Sequence, residues 1–339
     1  MILMDARIKA ILIAEGSADI DPELLGISRT STAGPGAGIE SFFFRSEGHR
    51  VRLDYKRDTD ASLKVRRASG DTRDADRVVI FRNGEELVRG RIEPVLLHCP
   101  EQAYITISES CIFNCRFCPV PRLKGRTKSL GEIVRMVDDT YRTKKMRAIA
   151  ITSGIEHSPE EEVTRAVDAV NALTKYNLPI GVSVYPTNDS SLRLKEAGAI
   201  EIKYNIETMD QKIFKRVCDD MDFDFVLASL EDAVAIFGRN RVFSNFIIGL
   251  GESDRTVKKG VEILAELGVI PILRALNLHP LRPDLKDICP DARRPDADRL
   301  LRLARFEREV LDAHGLRADV AETMCLPCGG CDLVPHRDV

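Results

Sequence analysis

The sequence lacks several features that mark common classes of proteins. It has no tryptophan, and only 6% of its 339 residues are aromatic, which says nothing about function. No apolar run reaches the roughly 18 residues of a membrane-spanning helix, so we expect no membrane contact. Charge of one sign is also not in excess. The 50 basic and 53 acidic residues leave a net charge of −3, which argues against a general nucleic-acid-binding surface.

We also expect no signal peptide at the start of this sequence. Asp5 and Arg7 interrupt the first apolar residues, and no cleavage site follows. The nine cysteines are an odd number, and six of them fall in two tight trios. Clustered cysteines in a reducing compartment are more often metal ligands than disulfides. We therefore expect a cytoplasmic, metal-binding protein.

The first cysteine trio is Cys111, Cys115 and Cys118, with CxxxCxxC spacing, directly after a predicted strand over 103–107. An iron–sulfur cluster held by thiolates usually takes four cysteines, and no fourth cysteine lies in phase with these three. One iron is then left open and can bind a small molecule, much as an open position on zinc makes a site catalytic. A structural zinc knuckle and three unconnected cysteines are the alternatives.

Alternating strand and helix patterns from Ala103 onward predict an α/β fold with a parallel sheet. About six such units and a final strand favour a partial (β/α) TIM-like barrel, with its chemistry on the loops after the strands. The predicted strands cover 103–107, 148–152, 179–184, 200–206, 242–250, 272–278 and 318–321. The predicted helices cover 130–141, 159–173, 225–237, 256–267 and 297–313.

The residues before the barrel predict a small β-rich N-terminal domain. Asn83-Gly84 between two strand patterns is a hairpin signal. We place this accessory domain at 1–97, the barrel at 98–323 and a short C-terminal cysteine extension at 324–339. With 44% hydrophobic residues, the chain can bury a large core.

The trio after the first barrel strand, with Phe117 just before its third cysteine, resembles the radical S-adenosylmethionine (SAM) enzymes. The resemblance implies a [4Fe–4S] cluster on the three cysteines, with SAM chelating the open iron and Phe117 beside the cofactor. It also implies reductive cleavage of SAM to a 5′-deoxyadenosyl radical, which takes hydrogen from an unactivated carbon. An electron donor of the ferredoxin or flavodoxin type is then needed.

The segments at 204–208 and 246–253 resemble those of the biotin synthase and lipoyl synthase subgroup. At 152–154 the chain has Thr-Ser-Gly where the radical SAM family has a Gly-Gly-Glu-like segment, so only Gly154 matches there. The resemblance places Gly154 at the SAM amino group, Asn205 and Glu207 at the SAM ribose, and Ile248 and Gly249 at the adenine. Asn205 and Glu207 share one face of a strand because side chains alternate. Otherwise Gly154 belongs to an ordinary turn, and the polar pair only closes a barrel layer.

The second cysteine trio is Cys325, Cys328 and Cys331, fifteen residues or fewer from the end of the sequence. We predict that it holds an auxiliary [4Fe–4S] cluster, near the same end of the barrel as the first trio. Cys289, Cys99, His336, an exogenous group or nothing supplies the fourth ligand. A structural zinc site is the alternative.

The resemblance to lipoyl and biotin synthases, in which an auxiliary cluster gives up sulfur, implies sulfur insertion into an aliphatic chain. The order of the motifs is similar to that of archaeal two-protein lipoyl synthases, which implies an octanoylated lipoyl carrier protein as substrate and a partner radical SAM protein. Cofactor assembly, methylation or rearrangement by a biotin-synthase-like enzyme is the alternative, as is a non-enzymatic zinc-binding scaffold. No catalytic side chain is predicted.

Overall fold

The computed structural model describes residues 3–21, 23–24, 29–30, 32, 34–58, 60–68 and 77–339. Among these residues, two sheets carry the fold. One has seven strands, which lie in the order 2-3-4-1-5-6-7 of their sequence, and the other has six strands in consecutive order. In the part of the chain described, no helix is long and apolar enough to cross a membrane.

The N-terminal sheet closes on itself, because its last strand also pairs antiparallel with its third. Its strands are β1 (Ser17–Ile20), β2 (Arg29–Thr30), β3 (Glu40–Ser46), β4 (His49–Tyr55), β5 (Leu63–Arg67), β6 (Arg77–Arg82) and β7 (Glu85–Glu93). The predicted β6–β7 hairpin is confirmed. Asn83 and Gly84 both have positive φ, 52° and 89°, as a type I′ turn requires.

The six remaining strands form the predicted partial barrel, and every neighbouring pair is parallel. They are β8 (Gln102–Thr106), β9 (Ala148–Thr152), β10 (Ile180–Ser183), β11 (Glu201–Lys203), β12 (Val242–Ile248) and β13 (Ile270–Ala275). Near-continuous burial along these strands is what a parallel sheet covered on both faces requires.

Ten helices are described. They are α1 (Ala6–Glu15), α2 (Leu130–Tyr141), α3 (Pro159–Leu173), α4 (Ser190–Ala197), α5 (Gln211–Val217), α6 (Phe223–Phe237), α7 (Asp254–Leu267), α8 (Asp284–Ile288), α9 (Ala297–Ala313) and α10 (Cys325–Cys328). Ser129 starts α2 with a complete capping box. Ser158 caps α3 by accepting from the Glu161 amide, with Pro159 at the first helical position.

One predicted strand is wrong. Residues 318–321 do not extend the sheet, because Ala318–Val320 form a 3₁₀ turn after α9. Four residues are too few to distinguish a strand from a turn by pattern. The sheet ends instead at β13, whose open edge meets the C-terminal segment through a bridge between Arg274 and Asp332.

The two sheets share hydrophobic core. Ala275 of β13 and Leu300, Leu301 and Ala304 of α9 are buried in the same cluster as the N-terminal strands and α1. The β-rich N-terminal region is therefore confirmed, whereas the domain boundaries at 97/98 and 323/324 stay a prediction.

Candidate functional site

Both cysteine trios line one cavity of about 240 Å³ inside the partial barrel. Its polar lining comes mostly from strand ends and the loops after them. The N-terminal region covers the open side of the barrel with Gly34–Gly36, Phe43 and Arg52. We call this cavity the chamber. All six cysteines predicted as metal ligands thus face a common space.

The first trio lies on the loop after β8, and neighbouring loops fix its backbone. The Ile112 amide donates to the Ile155 carbonyl (2.7 Å), and the Arg116 amide donates to the Val217 carbonyl (2.8 Å). The Asn114 amide donates to the Asp220 carboxylate at 2.7 Å. The loop after β9, the end of α5 and the loop after α5 therefore hold the cysteine loop over the carboxyl ends of the strands.

Arg282 supports the same loop from the loop after β13. Its buried guanidinium donates to the Asn114 side chain (2.6 Å) and to the Arg116 carbonyl (3.1 Å). Burial lowers the pKa of Arg282, against the attraction of Asp284. No local pattern in the sequence predicts this role for Arg282, because Asn114 and Arg116 lie 168 and 166 positions earlier in the chain.

Gly154 lies where the backbone leaves no room for a side chain. A Cβ added there would stand 2.1 Å from the Ser110 carbonyl oxygen, so the close approach of two loops already requires glycine. Glu162 holds the same turn, accepting from the hydroxyls of Ser108 (2.9 Å) and Ser153 (2.7 Å). Gly154 also lines the chamber, but contact with SAM at this position stays a prediction.

Asn205 and Glu207 both face the chamber, as expected, although β11 ends earlier, at Lys203. Glu207 takes a positive φ of 60°, an uncommon conformation for a residue with a side chain. Its amide donates to the Asn245 carbonyl at 3.0 Å, which fixes this conformation. Burial raises the pKa of Glu207 to about 7, against the opposing effect of Lys203 and Arg274. A carboxyl group in this state can accept from a ligand hydroxyl once it is ionised.

Ile248 and Gly249 lie differently. Neither is among the described residues that line the chamber, and Ile248 is fully buried. Gly249 has a φ of 115°, and a Cβ there would stand 2.2 Å from the Arg293 carbonyl oxygen. The amides of Gly249 and Leu250 donate to the Glu252 carboxylate (2.8 and 2.7 Å). Packing alone accounts for this turn, and a contact with adenine stays a prediction. Phe117, by contrast, lines the chamber.

The second trio does not lie at the same end of the barrel as the first, contrary to expectation. The segment that leads into it binds the first residues of two strands. Gln102 of β8 donates to the Met324 carbonyl (2.9 Å), and the Thr323 amide donates to Glu201 of β11 (2.8 Å). Because those are the amino ends of parallel strands, Cys325 enters the chamber opposite the first trio. The predicted strand at 318–321, now known to be a turn, misplaced it.

The three side chains that could supply the fourth ligand of the second site lie in different places. Cys99 lines the chamber beside the second trio, and its thiol donates to the thiolate of Cys328. This hydrogen bond lowers the pKa of Cys328 to about 7, with help from Arg50. Cys289 lies outside the chamber lining, at the end of α8, and His336 lies close to Asp312 (3.0 Å).

Basic side chains around the second trio were not predicted. Lys203, Arg52 and Arg274 line the chamber, and Lys203 Nζ donates to Cys325 Sγ at 3.5 Å. Lys203, Asn205 and Glu207 stand two residues apart, so the alternation that pointed to the last two also applied to the lysine. A lysine within a short buried strand is the local signal that points to this side chain.

Neither trio is preformed as a metal site. Within the described ranges, no three Cys, His, Asp or Glu side chains already stand at metal-binding separations. The donor chemistry nevertheless fits iron–sulfur clusters, since three thiols on a tight loop face one cavity in each case.

The fold and the cysteine loop define an α/β partial-barrel protein with a CxxxCxxC site at the carboxyl ends of its strands. Residues 105–264 match the family model described as the radical SAM superfamily. These residues therefore form a radical SAM domain.

Curated relatives fall in the expected subgroup. The chain is 27% identical to biotin synthase from a Hydrogenobaculum species, over 68% of this chain and 75% of that protein. It is 25% identical to the ribosomal protein uS12 methylthiotransferase RimO of Campylobacter jejuni, over 56% of this chain but only 46% of the relative. It is 22% identical to lipoyl synthase of Chlamydia caviae, over 54% of this chain and 64% of that enzyme.

A solved structure supports the fold. Methylornithine synthase (PylB) superposes with a TM-score of 0.52 at 16% identity, over 69% of this chain and 72% of that one. This confirms the partial barrel. The comparisons therefore show a radical SAM domain that is similar to biotin synthase, lipoyl synthase and RimO.

Proposed function

We propose that this protein is a radical SAM enzyme that inserts sulfur into an aliphatic chain. Cys111, Cys115 and Cys118 hold a [4Fe–4S] cluster with SAM on its open iron. When bound, cluster and SAM supply a reductive cleavage that ends in hydrogen abstraction from an unactivated carbon, while the barrel orients the substrate and excludes water. The observation that carries the proposal is the placement of two cysteine trios at opposite ends of one chamber.

The chain's own residues position SAM in this proposal. Glu207, ionised, accepts from the ribose hydroxyls, and Asn205 beside it bonds the same sugar. Phe117 packs against the cofactor next to the cysteine loop. The position of Glu207 supports this assignment, because its half-buried side chain faces the chamber and a carboxylate partly removed from water gains from further hydrogen bonds.

Apolar side chains between the two trios suit an acyl chain. Phe43, Phe113, Ile155 and Val184 line the chamber together with the cysteines. An octanoyl group on a lipoyl carrier protein is the proposed substrate, with the second trio holding an auxiliary [4Fe–4S] cluster as the sulfur source. A ferredoxin or flavodoxin supplies the electron, and a partner radical SAM protein shares the work of two insertions.

Anaerobic reconstitution with iron and sulfide tests the first part. We expect 5′-deoxyadenosine when SAM and a reductant are added, and none from Cys115→Ala. Cys289→Ala is the matched control, because this buried cysteine lies outside the chamber lining and its removal should leave cleavage intact. A wild-type protein that is fully loaded with iron but makes no 5′-deoxyadenosine contradicts the proposal.

Mass spectrometry of an octanoyl-lysine peptide tests the second part. We expect the mass gain of sulfur with the wild type and none with Cys325→Ala, although that variant still cleaves SAM. If 5′-deoxyadenosine forms but the peptide never gains sulfur, another reaction, such as cofactor assembly, methylation or rearrangement, replaces this one. A colourless protein that contains zinc and no iron belongs to the class of zinc-binding scaffolds.

A further inference from the structure

Cys99 comes from neither of the two cysteine motifs. It lies between β7 and β8, where the chain passes from the N-terminal sheet to the barrel, and it is 1% exposed. Its thiol contacts that of Cys328, 229 residues later, and both pack against Phe43. The topology alone brings this cysteine to the second trio.

We propose that Cys99, Cys325, Cys328 and Cys331 form a closed four-thiolate site for the second iron–sulfur cluster. All four line the same end of the chamber. This inference rests on the proposed function for the presence of a second cluster, and it goes further by assigning every one of its protein ligands. The second cluster then has no open iron, unlike the first.

The charge around the site favours four thiolates. A cluster with four cysteine ligands carries net negative charge, which is costly to bury without compensation. Lys203 donates to Cys325, Arg50 donates to the Cys328 carbonyl (3.0 Å), and Arg52 and Arg274 line the same end of the chamber. Arg52 and Arg274 also pair with Asp54 and Asp332, so they are already fixed in place.

The N-terminal region holds the loop of the second trio by its backbone. Lys9 Nζ donates to the Gly329 carbonyl (2.7 Å), and the Arg52 amide donates to the Gly330 carbonyl (2.6 Å). Lys9 also pairs with the buried Asp338 carboxylate at 2.6 Å. If Cys99 and the C-terminal segment form one site, the role of the N-terminal region is to hold that segment next to Cys99.

The other two candidate ligands, His336 and Cys289, lie away from the second trio. His336 contacts Asp312 through one ring nitrogen and accepts from the Ala318 amide through the other. Cys289 caps the end of α8, where its amide bonds to Leu285. Neither is among the described residues that line the chamber, so neither reaches the second trio without rearrangement.

The experiment isolates the second cluster. A full-length variant with Cys111, Cys115 and Cys118 all changed to alanine is reconstituted anaerobically, and its iron and sulfide are counted. We expect about four of each, with the spectrum of a [4Fe–4S] cluster. Adding Cys99→Ala should leave a three-iron cluster with its characteristic EPR signal, or lose the cluster, while the melting temperature of the metal-free protein is kept.

An added small thiol should restore the four-iron spectrum of the Cys99→Ala variant, which a merely structural role does not predict. Cys289→Ala in the same background is the matched control and should keep all its iron. If the metal-free Cys99→Ala variant does not fold, Cys99→Ser keeps the size of the side chain and should still alter the EPR spectrum.

Two outcomes overturn the inference. One is an unchanged four-iron cluster without Cys99, and the other is zinc in place of iron at this site. The first outcome refutes only the assignment of Cys99, because the second cluster is then present without it. The second outcome also removes the sulfur source of the proposed function, whereas 5′-deoxyadenosine formation by the wild type tests the first cluster separately.

Discussion

The two cysteine sites differ in how the chain builds them. Eight consecutive residues after one strand form the first, and the loops around them hold their backbone. The second draws on a C-terminal segment and on the region before the barrel. The first site is a local motif set on a scaffold, whereas the second exists only when distant parts of the chain meet.

Their electrostatic surroundings differ as well. Burial raises the pKa of Cys111 and of Cys118, and the neighbouring Cys115 adds to it. At the second site, burial raises the pKa of Cys331 to about 11, against the attraction of Arg274 and Arg52. Basic side chains thus offset part of the cost of burying negative charge at the second site. The first leaves room for positive charge that a ligand brings, such as a sulfonium.

The largest expected effect separates the sites by function. Cys118→Ala should abolish formation of 5′-deoxyadenosine, because a cluster with two cysteines is not held. Cys331→Ala should keep most of that activity and lose all sulfur transfer to the octanoyl peptide. Chromatography of the nucleoside and mass spectrometry of the peptide measure the two. Equal loss of 5′-deoxyadenosine in both variants contradicts the division.

The second effect concerns the buried ion pair beside the second site and its contribution to the stability of the protein. Lys9→Met leaves the Asp338 carboxylate buried without its main partner, which should cost about 3–5 kcal/mol in the free energy of unfolding. Denaturant titration measures it. Arg7→Met is the control on the same helix, since its pair with Asp298 is 3.9 Å long and about 70% exposed on both sides, and should change stability by less than about 1 kcal/mol.

The same pair predicts a pH dependence. Burial favours the neutral form of Asp338, but Lys9 and the hydrogen bond from His49 outweigh it and lower the pKa to about 2, from 3.8. A lowered carboxyl pKa contributes stability above the unfolded value and loses it as pH falls. The wild type should therefore lose stability between about pH 4 and pH 2 more steeply than Asp338→Asn. Parallel curves for the two proteins contradict this.

The smallest effect concerns SAM binding at the first site. Glu207→Gln should weaken SAM binding by about 10–100-fold, the worth of a hydrogen bond to a charged group. Because burial raises the pKa of Glu207 to about 7, the wild type should also bind SAM more weakly as pH falls below 7. Equilibrium dialysis should show this slope in the wild type and a flat profile in the variant.

Glu201→Gln is the matched control for that measurement. Glu201 is also a buried carboxylate of the barrel, but it lies at the amino end of β11 and binds Thr323. Its loss should disturb the second site and leave SAM affinity unchanged. An equal loss of SAM affinity in both variants means that Glu207 acts through the fold and not through the ligand.

Local patterns predicted much of the fold. The bounds of α2, α3 and α9 agree with their periodicity and caps, and the six parallel strands follow the buried apolar runs. Short elements were missed, among them α4 and α5, because seven or eight residues give too few turns for a period to show. The strand expected at 318–321 failed for the same reason.

What the sequence determined by itself is the first trio and its place after a buried strand. These depend on spacing along a few residues, which backbone geometry converts directly into direction. Only the tertiary structure decided that the second trio lies at the opposite end of the barrel, beside Cys99, Lys203 and Arg274. Contacts between residues hundreds of positions apart depend on how the whole chain packs, and no local period carries that information.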